Sequence, residues 1–87
     1  MRVFCLYRPH TETERSVVDL NAELKRLYNT ELELISMDTV EGDRLAEVYD
    51  IWNFPAVIAV DSNGAPHKAW SDGTLPLLSE LNYYMQS

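Results

Sequence analysis

The stretch Tyr49-Asp50-Ile51-Trp52-Asn53-Phe54-Pro55-Ala56-Val57-Ile58-Ala59-Val60-Asp61-Ser62-Asn63-Gly64 decides the fold. Ala56 to Val60 is a continuous apolar run, the pattern of a buried strand. Pro55 bounds it on one side and Asp61-Ser62-Asn63-Gly64 on the other. Asn-Gly between two strand-like runs is the strongest short-range hairpin signal. Pro66 to Trp70 is then the returning strand. Pro66 has no N–H to give a ladder, which places that strand at a sheet edge.

Working back towards the start, Leu45, Val48 and Tyr49 carry the apolar face of a short helix, with Asp38 or Thr39 as its cap. Leu32 to Met37 opens with alternation, Leu32 and Leu34 against Glu31 and Glu33, and reads as a strand with one half-solvated face. Val17, Leu20, Leu24, Leu27 and Tyr28 recur at spacings of three and four, an amphipathic helix of about four turns. Thr11-Glu12-Thr13-Glu14 reads as its capping box, and Asn29-Thr30 as its end. Arg2 to Tyr7 is apolar and rich in strand formers, and Pro9 closes it. Past the hairpin, Thr74 is the expected cap of a last helix, with Pro76 in its first turn and Leu75, Leu78, Leu81 and Met85 as its buried stripe.

The element order is therefore β-α-β-α-β-β-α. A strand, helix, strand unit crosses over right-handed and makes the first two strands parallel. The hairpin makes the last two antiparallel. The expected α/β architecture is a four-stranded mixed sheet with helices on both faces, in a single domain over residues 1–87.

This order resembles the minimal thioredoxin and glutaredoxin fold. Four local features carry the resemblance: the strand Leu34 to Asp38 ending in Asp, Tyr49-Asp50-Ile51 after Leu45-Ala46, Phe54-Pro55, and the apolar strand followed by Asp61-Ser62-Asn63-Gly64 and a strand ending in Trp70. The resemblance implies a cis-proline at Pro55. The chain is also similar to small bacterial thioredoxin-like proteins that begin with a Cys-Leu-Tyr-Arg-Pro strand end, from which no activity carries over.

The departures bear on chemistry. Thioredoxins use two cysteines spaced Cys-x-x-Cys at the start of the first long helix. Here His10 and Thr13 take those places, and Cys5 is the single cysteine of the chain. The reactive species of the family is a thiolate stabilised at a helix N-terminus, and neither His nor Thr forms a disulfide. The buried acidic residue of full thioredoxins corresponds to Phe4, which takes no proton. Cys5 lies inside a strand, where an apolar setting raises a thiol's pKa and silences it. No dithiol activity, catalytic residue or cofactor is expected.

His10 suits a general acid or anion contact, or an ordinary loop histidine. His67 sits beside Lys68 on the return strand and reads as surface. Two distant histidines and one buried cysteine make no metal site. Tyr7 ends the first strand where some glutathione transferases carry a thiol-activating tyrosine; the alternative is a plain strand-end aromatic. Asp72, in Ser71-Asp72-Gly73, lies where glutaredoxins hold the glutathione amino group, but the double glycine of that motif is missing and a turn role competes. Tyr83-Tyr84-Met85 offers either a self-association surface or a frayed terminus.

The resemblance places the loop before Pro55 beside the active site, where it pairs with bound peptide. Trp52 and Phe54 there are either core or an exposed recognition patch, and aromatic side chains are common interface anchors. The candidate groove is His10, Thr11, Thr13, Trp52, Asn53, Phe54, Pro55 and Asp72. The expected function is a non-catalytic domain binding a protein or peptide partner; the alternative is a glutathione-linked activity using Tyr7, Phe54 and Asp72.

Composition narrows the partners. Seven basic residues among fourteen acidic ones give a net charge of −7, against the clustered Lys and Arg that nucleic acid needs. No segment reaches the roughly 20 apolar residues that span a bilayer. Met1 to Tyr7 runs into a strand pattern without the apolar core and cleavage site of a signal peptide, and one cysteine suits a reducing compartment, so a cytoplasmic location is expected.

Overall fold

The computed structural model describes residues 1–86. Its elements are β1 (Arg2–Tyr7), α1 (Glu12–Tyr28), β2 (Glu33–Ser36), α2 (Val40–Val48), β3 (Ala56–Val60), β4 (Pro66–Trp70) and α3 (Leu78–Met85). The four strands form one sheet in the order β2-β1-β3-β4. β1 and β2 run parallel, with Cys5 opposite Leu34. β3 is antiparallel to β1, with Phe4 opposite Ile58, and β4 is antiparallel to β3 on the free edge. This is the mixed four-stranded architecture expected from the element order.

Strand alternation divides the core in two. Phe4, Leu6, Ala56, Ile58 and Val60 face α2, where they meet Leu45, Ala46 and Ile51. Val3, Cys5, Val57 and Ala59 face the other way and meet Val17 and Leu24 of α1 and Leu81 of α3. Every residue of β3 is buried, because both faces of this central strand are covered. β4 is covered far less, and only Trp70 of its five residues is partly buried.

Three local expectations are corrected. The Thr11 hydroxyl does not cap α1; it donates to the Arg8 carbonyl at 2.8 Å. Glu14 does reach back, but its carboxylate accepts from the main-chain N–H of His10 at 2.8 Å. Leu27 and Tyr28, expected in the buried stripe of α1, and Val48, expected on the apolar face of α2, are exposed. α3 begins at Leu78, so Thr74 and Pro76 lie in the preceding loop. There Asp72 accepts from both the amide and the hydroxyl of Thr74 at 3.1 and 2.6 Å. That Asx turn uses Thr74 before a helix can.

The hairpin closes by a main-chain bond from Asp61 N–H to the Ala65 carbonyl at 3.0 Å. Gly64 holds φ at 82°, a left-handed conformation that glycine adopts without a Cβ penalty. α2 is capped by the Thr39 hydroxyl, which accepts from the Gly42 N–H at 3.0 Å. The close approach of α2 to β2 requires Gly42, because a Cβ there would stand 2.2 Å from the Ser36 carbonyl oxygen.

Candidate functional site

The site grows out of the end of α2. Asp50 turns the chain with φ at 59°, a left-handed conformation that aspartate tolerates better than most residues. The next amide, Ile51 N–H, donates back to the Ala46 carbonyl at 2.8 Å, and the Ile51 side chain is buried. With Ile51 anchored inward, Trp52 emerges outward and is 78% exposed. Its indole N–H donates to Asp50 Oδ1 at 3.0 Å, which restrains the ring and leaves its faces to solvent.

Phe54 is half-buried against the core that faces α2. The Arg8 guanidinium, just past β1, stacks over its ring with 4.7 Å to the centroid. The Phe54–Pro55 peptide bond is cis and Pro55 is buried.

Together these residues frame an open groove of about 460 Å³. Its apolar lining is Met37, Ala46, Ile51, Trp52 and Phe54, and its charged lining is Arg8, Asp43, Glu47 and Asp50. Three carboxylates thus face one guanidinium. Asp43, Ala46, Glu47 and Asp50 fall at spacings of three and four, so one face of α2 and its end build this wall. That spacing is legible in the sequence, but it is the pattern of any solvated helix face. Only the neighbouring Trp52 turns it into a wall.

Trp52 and Phe54 line the groove, while the other residues expected there do not. His10 is exposed with φ at 62°. Thr11 and Thr13 share a hydroxyl hydrogen bond at 2.6 Å that organises the turn into α1. Asn53 reaches away from the groove, its side-chain amide donating to the Ser71 carbonyl at 3.5 Å. That contact joins the loop before Pro55 to the turn holding Asp72. The Asp72 carboxylate is held below the ordinary aspartate range, first by the Thr74 hydroxyl and then by the Thr74 amide.

Cys5 is fully buried, and desolvation alone pushes its thiol up to about 12. Phe4 is equally buried and belongs to the core that faces α2. Among the described residues, no three His, Cys, Asp or Glu side chains converge as a metal cage requires. No helix among the described residues is long and apolar enough to cross a membrane.

The chain aligns over 99% of its length with thioredoxin 1 from the thermophilic eubacterium Thermosipho africanus TCF52B, covering 91% of that chain at a TM-score of 0.66. The fold is thioredoxin-like. Plasmodium falciparum thioredoxin aligns with 98% of the chain and 82% of its own length at a TM-score of 0.60. Identity to each is 13%, so the likeness speaks for the fold alone. No protein-family model and no curated protein matches the sequence. With one cysteine, this thioredoxin-like domain contains no Cys-x-x-Cys pair.

Proposed function

We propose that this thioredoxin-like domain is a non-catalytic binding module that takes a protein or peptide segment beside Trp52 and Pro55. The observation that carries this reading is the exposure of Trp52, 78%, on the wall of a groove that it lines together with Met37, Ala46, Ile51 and Phe54. An indole of that size left in water at a concave site gains stabilisation when a partner covers it, and such rings are frequent hot spots. An extended segment can pair with the main chain next to Pro55 and lay alternate side chains on Trp52 and Phe54. Thiol exchange plays no part, since the one thiol is buried and held neutral. A reducing compartment such as the cytoplasm suits that chemistry.

The glutathione-linked alternative needs Asp72 to hold an ammonium group. One Asp72 carboxylate oxygen already accepts twice from Thr74, and Asp72 does not line the groove. A residue-by-residue titration with a peptide library and with reduced glutathione separates the two. Resonance shifts at Trp52 and Phe54 with peptide alone support the binding module. Shifts at Tyr7 and Asp72 with glutathione support the alternative.

A further inference from the structure

The groove has a charge that its apolar lining does not explain. Asp43 and Glu47 stand one helical turn apart on α2, and Asp50 follows within the next turn. Among the described residues, the side chains of Asp43 and Glu47 have no salt-bridge or hydrogen-bond partner. Asp50 gives only Oδ1 to the Trp52 indole. Arg44, on the same helix, pairs with neither neighbour. Arg8 is stacked on Phe54 and offsets one of the three carboxylates, leaving the groove with a net negative charge. Two of the carboxylates stand on α2 and the third just past its end, and they do not converge as a metal cage requires, which suits a ligand with separated positive charges better than a single metal ion.

Resting on the binding-module reading, we infer that the partner is a basic segment: an extended peptide in which lysine or arginine alternates with aromatic or aliphatic residues. Its apolar side chains cover Trp52 and Phe54, and its cations lie along Asp43, Glu47 and Asp50. Charge complementarity across such a surface sets the choice of partner and the rate of encounter more than raw affinity. The net charge of −7 on the whole chain steers the same way. Arg8 works against a cationic ligand, and this makes it diagnostic. If the groove served an acidic peptide, Arg8 would be the anchor; for a basic one it is a residual repulsion.

The test uses three blocked synthetic peptides of one length: alternating lysine and phenylalanine, the same with norleucine for lysine, and the same with glutamate for lysine. Binding to the full chain is followed by Trp fluorescence and by amide resonances, at low and at physiological salt. The lysine peptide should bind tightest and lose affinity as salt rises, while the norleucine peptide changes little with salt. The double variant D43N/E47Q, altered only at exposed positions, should weaken the lysine peptide by about threefold for each carboxylate and leave the norleucine peptide unchanged. Arg8→Ala should strengthen the lysine peptide. Equal binding of all three peptides at Trp52 would overturn the charge inference and leave the binding module standing. Preferential binding of the glutamate peptide, weakened by Arg8→Ala, would overturn it as well. Binding of none, or binding away from Trp52, would overturn both.

Discussion

The indole N–H of Trp52 and the carboxylate of Asp50 meet at 3.0 Å across a single intervening residue. That residue, Ile51, is buried, so the two partners are held on the outer side of the same bend. The bend depends on a left-handed φ of 59° at Asp50. Glycine at position 50 keeps the backbone accessible and removes the acceptor. Asp50→Gly should therefore shift the Trp52 indole N–H resonance and broaden it, with the Trp70 indole resonance unmoved. Identical Trp52 resonances in both proteins would mean that the bond does not restrain the ring.

Cys5 is predicted to be chemically silent. In the folded protein it should resist Ellman's reagent at neutral pH, and it should react at the rate of a free thiol once guanidinium chloride unfolds the chain. Insulin reduction with a thiol donor should not exceed the blank, and Cys5→Ala should leave that result unchanged. Turnover that disappears in Cys5→Ala would contradict the absence of redox function. Because burial raises this thiol to about 12, the neutral form is the one the fold accommodates. The stability it contributes is complete below the ordinary thiol range, about 8.5, and is lost as pH rises from there towards the folded value.

Gly42 tests the seam between α2 and β2. Alanine is the better helix former by about 1 kcal/mol, which alone would favour Gly42→Ala. The added methyl would lie 2.2 Å from a main-chain oxygen of Ser36, which no side-chain rotation relieves. Overpacking of this kind costs roughly 1–3 kcal/mol, and here it should outweigh the propensity gain. Urea unfolding should show a clear net loss; a more stable variant would mean that α2 sits farther from the sheet.

The hairpin carries a pH signature. Asp61 is held below the ordinary aspartate range, first by the main-chain N–H of Ala65 and then by that of Asn63. A folded-state pKa that is lowered adds stability above the ordinary aspartate value, about 3.9, and loses it as pH falls through that region. Asp61→Asn keeps an acceptor in the turn and removes the proton. Its urea midpoint should fall less steeply below pH 4 than that of the parent. Equal steepness would show that the turn does not depend on the charge.

Much of this fold was legible because its strongest signals are local. The apolar run Ala56 to Val60, the Asn63-Gly64 turn and the edge proline Pro66 describe two strands and their pairing without reference to the rest of the chain. Helix ends were harder to read, because a hydroxyl has several acceptors within reach. Thr11 turns to the Arg8 carbonyl and Thr74 to the Asp72 carboxylate, and no sequence pattern ranks those options. The exposure of Leu27 and Tyr28 is set by what packs against the end of α1, which helical spacing alone does not reveal. At the site, Trp52 and Phe54 were readable from their place before Pro55. The acidic wall was not, since Asp43, Glu47 and Asp50 are an ordinary helix surface until Trp52 is folded beside them.

In the proposed role Trp52 serves a partner rather than the core, and Trp52→Ala, measured by urea unfolding and by peptide binding, tests that role. An exposed ring should cost little stability when removed, about 0.5 kcal/mol or less. The same variant should weaken the lysine and phenylalanine peptide by about 2 kcal/mol or more. A stability loss of roughly 3–5 kcal/mol, the cost of truncating a buried tryptophan, with peptide affinity unchanged, would contradict it.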